Sequence, residues 1–296
     1  MNKYLITIIM AFIIIVPVAG ATNILSSDEA EAQTQTNTFY DFTHTVIAEY
    51  GTMTTCPYCV TAASQLYNIF NSGDLDFYYV SLVWDMGNIN VRDRLKELGV
   101  TGVPDVYFDG GYRNVGGAQT TEQPYRDAIT QCGEREVPDI DVDVDVIWKG
   151  SGILKITVTV ENNEPEEFSG HLRVYIVEKE SRWNDNGGNP YHYAALDIPI
   201  DRGLAVVSQS QPKPLGDTYT FKRTWFGFLH GFGDITQENT MVIAAVFDKD
   251  SDYAVQTAVA EPTAEGFQFI FSERPMILLF QLLKEHGILS RLLNLG

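Results

Sequence analysis

Cysteine and basic residues are both scarce in this chain. Its 296 residues include three cysteines, too few for a disulfide-dense scaffold or for several zinc sites. Twenty Lys and Arg stand against 39 Asp and Glu, which gives a formal net charge of −19. A chain this acidic has no positive field to attract phosphate groups, so we expect no nucleic-acid binding.

Long apolar runs are missing too, apart from one near the N-terminus. Lys3 precedes an apolar run over residues 4–16, and small residues follow at 18–21, which is the pattern of a signal peptide over residues 1–21. Residues 22–42 are polar and predict a linker. We therefore expect an exported, extracytoplasmic protein, secreted or associated with the cell surface, with an uncleaved anchor as the alternative.

The C-terminal residues 263–296 predict a linker and an apolar helical tail. Twelve of the twenty residues 276–295 are large and apolar, but Lys284, Glu285 and Arg291 interrupt them. The segment is therefore too polar to span a bilayer and too apolar to stay exposed. We expect it to dock on the body of the protein, to associate with another copy or to lie at a membrane surface.

Strands and helices alternate over residues 43–133, which predicts an α/β domain. Strands are predicted over 45–50, 76–83, 103–108 and 112–115, and helices over 56–71, 91–98 and 121–132. Parallel strands joined by helices require right-handed crossovers with covered sheet faces.

The chemistry of this domain lies in the motif Cys56-Pro57-Tyr58-Cys59, which follows a strand and opens a helix. Unpaired N–H groups and the dipole at a helix start stabilise an anion, so the first cysteine can form a thiolate. Pro57 suits the first helical turn. The second sulfur returns within one turn, where it can attack a mixed disulfide. We predict Cys56 as the exposed nucleophile and Cys59 as the more buried resolving thiol.

These features resemble the thioredoxin fold family: the strand, the CPYC motif at a helix start, and the run Gly-Val-Pro-x-Val-x-Phe-x-Gly-Gly around Pro104. The resemblance covers residues 43–133, without the additional N-terminal strand and helix of full thioredoxins. It implies a cis-proline at Pro104 as part of the catalytic site, with Pro57, Tyr58 and Val103 shaping a substrate groove. It further implies a thiol–disulfide oxidoreductase that acts on protein thiols or disulfides, with a redox-active Cys pair and no other cofactor.

Departures from the family pattern leave one role open. The dipeptide Pro-Tyr between the cysteines is that of glutaredoxins, but nothing in the sequence assigns a glutathione site. Glu49, in the first strand, is a candidate proton acceptor for Cys59, although it is shifted by one residue from the family's acidic position. A solvated glutamate at the strand end is the alternative.

Other interpretations of the three cysteines also remain. A metal site would need two further ligands, and the sequence has neither a second CxxC nor a His pair at i, i+4, so we expect no metal. A purely structural disulfide would restrain little loop entropy, because it spans only one turn. Cys132 is expected to be a small buried apolar residue, with a mixed-disulfide role as the alternative.

Residues 137–262 change to strand after strand and predict an all-β antiparallel sandwich. Alternation is clearest over 140–146, where Ile and Val alternate with Asp. The aspartates at 248, 250 and 252 form a polar turn that could hold calcium, although the EF-hand glycine and glutamate are missing. Aromatic residues over 191–193 and 225–228 are expected in the core or, alternatively, on a recognition surface.

The order of the two domains is similar to that of surface-associated redox proteins related to outer-membrane proteins. Segments 171–175 and 241–247 carry this looser resemblance, and it implies no catalytic residue in the sandwich. The sequence thus predicts an exported thiol–disulfide oxidoreductase that uses its CxxC pair. The alternative is a cell-surface binding protein whose sandwich is the functional part and whose CxxC is structural or vestigial.

Overall fold

The computed structural model describes residues 41–206 and 217–264, which form a β-rich fold with three α-helices and two mixed sheets. The predicted signal peptide, nearly all of the linker and the apolar tail fall outside the described residues. Among the helices that are described, none is long and apolar enough to cross a membrane.

The first half of the fold has its elements in the order that the sequence predicts. They are β1 (Val46–Thr52), α1 (Cys59–Ser72), β2 (Phe77–Val83), α2 (Ile89–Glu97), β3 (Asp105–Phe108), β4 (Arg113–Gly116) and α3 (Gln123–Gly133). Local capping explains two of the boundaries. Asn88 accepts the Val91 N–H at 3.1 Å at the start of α2, and Gly73 ends α1 in the left-handed conformation that glycine adopts without strain.

The second half is almost entirely β-structure. Its strands are β5 (Ile140–Trp148), β6 (Ile153–Asn162), β7 (Phe168–Asn184), β8 (Pro190–Val206), β9 (Asp217–Phe226), β10 (Thr240–Asp248), β11 (Ala254–Ala260) and β12 (Thr263–Ala264). The acidic row predicted on the first of these is present, since Asp141, Asp143 and Asp145 of β5 are all exposed.

The larger sheet runs through both halves of the chain, in the strand order β11-β10-β7-β8-β2-β1-β3-β4. β1 and β2 are parallel and β3 is antiparallel to β1. The two halves join where Ser81 of β2 pairs with Ala194 of β8, and the Ser81 hydroxyl donates to the His192 carbonyl at 2.8 Å. β8, which the sequence reading missed, thereby covers what would otherwise be a free edge of β2.

The expected antiparallel sandwich is therefore only part of the arrangement. The smaller sheet, β12-β5-β6-β9, packs its buried side chains against those of β7, β8, β10 and β11. Those four strands, however, continue into β1–β4 instead of forming a sheet of their own. The domain boundary between residues 133 and 137 stays a prediction, because strands from both sides of it belong to one sheet.

The two faces of the larger sheet carry different helices. Ala48 and Tyr50 of β1 share a buried cluster with α1, α3 and the smaller sheet. Ile47 shares another with α2, β7 and β10. Since side chains alternate along a strand, neighbouring residues of β1 must serve opposite sides of the sheet. This alternation decides which β1 side chains can reach the cysteine motif.

Candidate functional site

The cysteine motif lies in the tight loop between β1 and α1. The Cys56 N–H donates to the Met53 carbonyl at 3.1 Å. The Cys59 N–H donates to the Cys56 carbonyl at 3.3 Å, which closes a single turn before the helix. Helix α1 therefore starts at Cys59 and not at Cys56 as predicted, and Pro57 lies in the turn that precedes it.

The two cysteines are joined as a disulfide, with their Cα atoms 5.4 Å apart. The Cys59 N–H also points at Cys56 Sγ, at 3.1 Å. The N–H is thus shared between the Cys56 carbonyl and the Cys56 sulfur. An N–H at a helix start that faces a sulfur favours a thiolate there once the bond is reduced. Cys59 is fully buried, but Cys56 is itself only 6% exposed, so the predicted nucleophile is less accessible than expected.

The segment around Pro104 lies directly against Cys56. The Val103–Pro104 peptide bond is cis, as the family resemblance implied. Cys56 Sγ lies 3.7 Å from the Val103 carbonyl oxygen. Four of the predicted site residues therefore lie together: Cys56, its disulfide partner Cys59, Val103 and Pro104.

The surface around Cys56 has an open side and an apolar recess. Pro57 is exposed, and Tyr58 is 68% exposed. On the other side, next to Val103, a cavity of about 180 Å³ opens to the surface. Its walls are Met53, Trp84, Val100, Thr101, Gly102 and Val103. The lining of this recess is mostly apolar, as in small-molecule and side-chain binding pockets.

Glu49 does not serve Cys59, and this prediction is wrong. The residue is fully buried on the α2 face of β1, whereas Cys59 packs on the opposite face. Its carboxylate accepts two hydrogen bonds from the Arg94 guanidinium, at 2.7 and 2.6 Å, and one from the Tyr175 hydroxyl at 2.7 Å. The alternative of a solvated glutamate is wrong as well, because no part of it is exposed.

The electrostatics of Glu49 agree with this structural role. Burial alone would raise the pKa of the Glu49 carboxyl, but the charge and hydrogen bonds of Arg94, together with the Tyr175 hydroxyl, hold it below its ordinary value. The group is therefore a fixed anion at neutral pH. It joins β1 to Arg94 of α2 and to Tyr175 of β7, and it has no proton to exchange with Cys59.

A residue that sequence reasoning did not assign, Tyr191 of β8, supports the cysteine loop. Its hydroxyl donates to the Met53 carbonyl at 3.0 Å and lies 3.1 Å from the Thr52 hydroxyl. Burial is the main reason that the pKa of Tyr191 rises to about 12, so the hydroxyl keeps its proton for this bond. The contact joins residues 138 positions apart. From the sequence, the aromatic residues at 191–193 indicated only core packing or a recognition surface, and not a contact with the cysteine loop.

The turn between β7 and β8 lies against the start of α1. Asp185 holds the turn by accepting the N–H groups of Gly187 and Asn189, at 2.8 and 3.0 Å. A Cβ at Gly187 would lie 3.3 Å from Val60, the residue after Cys59. The absence of a side chain therefore allows the turn to approach the cysteine motif closely.

Cys132 is a free cysteine that is completely buried in α3. Burial and the negative charge of Asp109 raise the pKa of its thiol far above the ordinary range. A thiol in this environment is unreactive, in agreement with its expected role as a small buried residue. In the turn considered for calcium, the Asp248 carboxylate accepts hydrogen bonds from the Asp250 and Ser251 N–H groups of the same turn.

Comparison with known proteins gives a structural likeness and no sequence match. No family model and no curated protein matches the chain. Among solved structures, HBP35 of Porphyromonas gingivalis is similar with a TM-score of 0.59 at 12% identity, over 77% of this chain and 78% of that one. Protein AGR_C_4864 from Agrobacterium tumefaciens matches with a TM-score of 0.45 at 15% identity, over 74% of this chain and 95% of that one. The chain thus shares its fold with HBP35 of P. gingivalis.

Proposed function

We propose that this protein is an exported thiol–disulfide oxidoreductase with a thioredoxin-like redox domain. The observation that carries the proposal is the Cys56–Cys59 disulfide, whose Cys56 sulfur lies between the Cys59 N–H and the Val103 carbonyl. The likeness to HBP35 supports the fold, and the signal-like N-terminal sequence supports export. Protein thiols or disulfides are the proposed substrates.

In the reducing direction, the Cys56 thiolate attacks one sulfur of a substrate disulfide. A mixed disulfide forms, and the other substrate sulfur leaves as a thiolate. The Cys59 thiol then gives its proton to the substrate thiolate formed in the first step, because Glu49 lies on the other side of the sheet, and attacks the Cys56 sulfur. The intramolecular disulfide closes and the second substrate thiolate is released. Two electrons pass to the substrate, whose sulfurs take up two protons, and the reverse sequence oxidises a substrate dithiol.

The residues around the cysteines have defined parts in this scheme. Val103 and Pro104 border the nucleophile and would align an extended substrate segment, in the manner of the family that the motif resembles. Pro57 and Tyr58 offer the exposed side of the groove. Tyr191 holds the loop in place through Met53.

A structural disulfide is the competing function for the motif, and the low exposure of Cys56 favours it. The test is equilibration of the purified protein with glutathione redox buffers, followed by reaction with a protein disulfide. A redox-active pair exchanges reversibly, and Cys56→Ser abolishes turnover while Cys132→Ser does not. A disulfide that resists glutathione and never turns over would establish the structural alternative.

A further inference from the structure

The outer face of the smaller sheet changes from polar to apolar along its strands. Side chains alternate between the two faces of a strand, so the exposed aspartates at 141, 143 and 145 mark the outer face of β5. Ile147 has the same parity and lies half-buried on this face. The outer-face residues of β6 and β9 are Thr, Lys and Glu until the last pair, Ile153 with Phe226. The apolar side chains of this face are therefore gathered at one end of the sheet.

Four apolar side chains form a continuous band across this end. Ile147 is directly opposite Lys155 of β6, so Ile153, two residues away on the same strand, lies diagonal to it. Ile153 is directly opposite Phe226 of β9. Opposite side chains on one face of a sheet are neighbours, and diagonal ones are within reach of long side chains. The Phe226 and Phe228 rings meet edge to face, with centroids 5.8 Å apart. We call Ile147, Ile153, Phe226 and Phe228 the apolar band.

The β9 end of the apolar band is exposed although its backbone is fixed. Phe226 is 40% exposed and Phe228 is 52% exposed. The Gly227 N–H between them donates to the Gly152 carbonyl at 2.8 Å, and the Phe232 N–H donates to the Gly227 carbonyl at 2.8 Å. These hydrogen bonds hold the turn that carries the two rings. A connected group of exposed apolar side chains, unlike a single one, indicates a partner surface.

The last described strand ends beside the other side of the apolar band. β12 pairs in parallel with the end of β5, where Thr263 lies beside Ile147 and Ala264 beside Trp148. Because the two strands run in the same direction, the chain at Ala264 points toward the end of the sheet at which the band lies. β12 and β9 are three strand spacings apart, roughly 14 Å. The residues that follow Ala264 therefore start within a short distance of the whole band.

The sequence that follows β12 is aromatic at every second position. Phe267, Phe269 and Phe271 alternate with Gln268 and Ile270. Alternate residues of an extended chain share one face, so the three phenylalanines can contact one surface together. An extended chain advances about 3.4 Å per residue, so Phe269 and Phe271 are within roughly 17 and 24 Å of Ala264. Both distances exceed the roughly 14 Å that separates β12 from β9.

The small size of the apolar band favours a partner from the same chain. A stable interface between two proteins needs about 20–30 residues from each side, whereas the band has four. A segment of the same chain is present at a high effective concentration and can bind through far fewer contacts. The aspartates at 141, 143 and 145 on the same face disfavour an anionic membrane as the partner.

We propose that Phe267, Phe269 and Phe271 pack on the apolar band and cover this end of the smaller sheet. The proposal does not depend on the redox function proposed above. Its consequence is a fixed starting point for the apolar tail over residues 276–295. The Trp225 indole N–H donates to Asp197 at 2.7 Å, and Asn88 at the start of α2 donates to the same carboxylate at 2.6 Å. The tail accordingly begins at the end of the sheet that adjoins the start of α2.

The first test is photo-cross-linking of the full chain with benzoylphenylalanine in place of Phe228. We expect peptide mass spectrometry to find the main cross-link within the same molecule, at residues 265–271. Replacing Phe267, Phe269 and Phe271 together by Ser should lower its yield roughly tenfold, because the contact surface is lost. Ile270→Ser is the matched control. It removes an apolar side chain from the opposite face of the same segment and should leave the yield unchanged.

Limited proteolysis with chymotrypsin, which cleaves after phenylalanine, is the second test. Packing on the apolar band protects residues 267–271, and the cleavage rate follows the fraction of molecules in which the segment is released. Phe226→Ser combined with Phe228→Ser should raise the rate of cleavage in this segment at least about tenfold. Asp143→Ser, an exposed residue of β5 on the same face, is the control and should be cleaved like the wild type. Circular dichroism verifies that the variants fold.

Other partners of the apolar band would give different results, and each would overturn the proposal. A cross-link to residues 276–295 would assign the band to the tail, and a cross-link between two molecules would assign it to a second copy. Binding to phosphatidylcholine vesicles that is lost in Phe226→Ser with Phe228→Ser, without a cross-link to 265–271, would identify a lipid contact. Equal cleavage rates in the wild type and this double variant would show that the segment does not pack on the band.

Discussion

The Tyr191 hydroxyl and the Cys56 N–H donate to the same acceptor, the Met53 carbonyl oxygen, at 3.0 and 3.1 Å. A side chain from the second half of the chain is therefore part of the support of the cysteine loop. The strand that carries it, β8, is also the strand that joins the two halves of the sheet. The β-rich half thus contributes a residue to the cysteine site in addition to sharing a sheet with the first half.

This relationship predicts the effect of Tyr191→Phe. Loss of one hydrogen bond costs about 1 kcal/mol. Because the loop then holds Cys56 less firmly against the Cys59 N–H, we expect the reduced Cys56 thiol to be alkylated about fivefold more slowly at neutral pH. The control is Tyr193→Phe, which removes a hydroxyl two residues further along β8. Equal alkylation rates in the wild type and Tyr191→Phe would show that the hydroxyl has only a structural role.

The three cysteines should differ strongly in reactivity. In the reduced, folded protein we expect iodoacetamide to modify Cys56 first, because it is the thiol that faces the start of a helix. Cys132 should react only after unfolding, since burial raises the pKa of its thiol and removes access. Peptide mass spectrometry with and without denaturant measures this order. Modification of Cys56 and Cys132 at the same rate in the folded protein would contradict it.

Glu49 should be a stability residue and not a redox residue. Glu49→Gln leaves the buried Arg94 charge with only the exposed Glu97 carboxylate as an ion-pair partner, so we expect the free energy of unfolding to fall by about 3 kcal/mol. The double variant Glu49→Leu with Arg94→Met removes both charges and should recover much of this loss. Urea denaturation measures both values. Resolution of a mixed disulfide by Cys59 should proceed at the same rate in the folded variants, whereas slower resolution would restore the proton-acceptor hypothesis.

The contribution of the Glu49 carboxylate to the free energy of unfolding should decrease as the pH falls. The folded-state pKa of the Glu49 carboxyl lies below its ordinary value of 4.5. Its ionised form therefore stabilises the folded protein above about pH 4.5, and this stabilisation is lost as the pH falls through the folded-state pKa. The difference in unfolding free energy between the wild type and the double variant should shift in the variant's favour below pH 4.5. A difference that stays constant down to pH 3 would contradict the assignment.

The apolar tail over residues 276–295 supports a prediction of its own, which lies outside the described residues. Its twelve large apolar side chains need a partner surface. We expect deletion of 273–296 to leave thiol–disulfide exchange at Cys56 intact and to release the protein from the cell surface. Cell fractionation and the glutathione assay measure the two effects. An unfolded truncated protein would instead place the tail in the core, and a truncated protein still bound to the cell surface would refute anchoring.

The sequence by itself determined the features that depend on local signals. The alternation of strands and helices over 43–133, the acidic face of β5 and the cysteine motif between β1 and α1 all follow from periodicity and from turn residues a few positions apart. The cis bond at Pro104 was implied by the resemblance to the thioredoxin fold family, and the residues around Pro104 that carry this resemblance are contiguous in the chain.

Strand β8 illustrates why other features could not be predicted from the sequence. Pro199 is a strong signal against a strand in the middle of a sheet. In the structure it lies opposite an irregularity in the register with β7, between the pairs of Val174 with Ile200 and of Ile176 with Asp197. A bulge accommodates proline within a strand, but its position depends on the partner strand and not on the sequence of β8 alone.

The tertiary structure alone decided which polar groups meet. Periodicity places Glu49 in a strand, but it does not say that Arg94 and Tyr175, 45 and 126 residues away, will cover it. The Tyr191 hydroxyl reaches Met53 only because β8 pairs with β2. The physical reason is the same in each case. Local pattern sets which residues of a strand share a face, whereas the partner that satisfies a buried charge or hydroxyl is set by the register of strands distant in sequence.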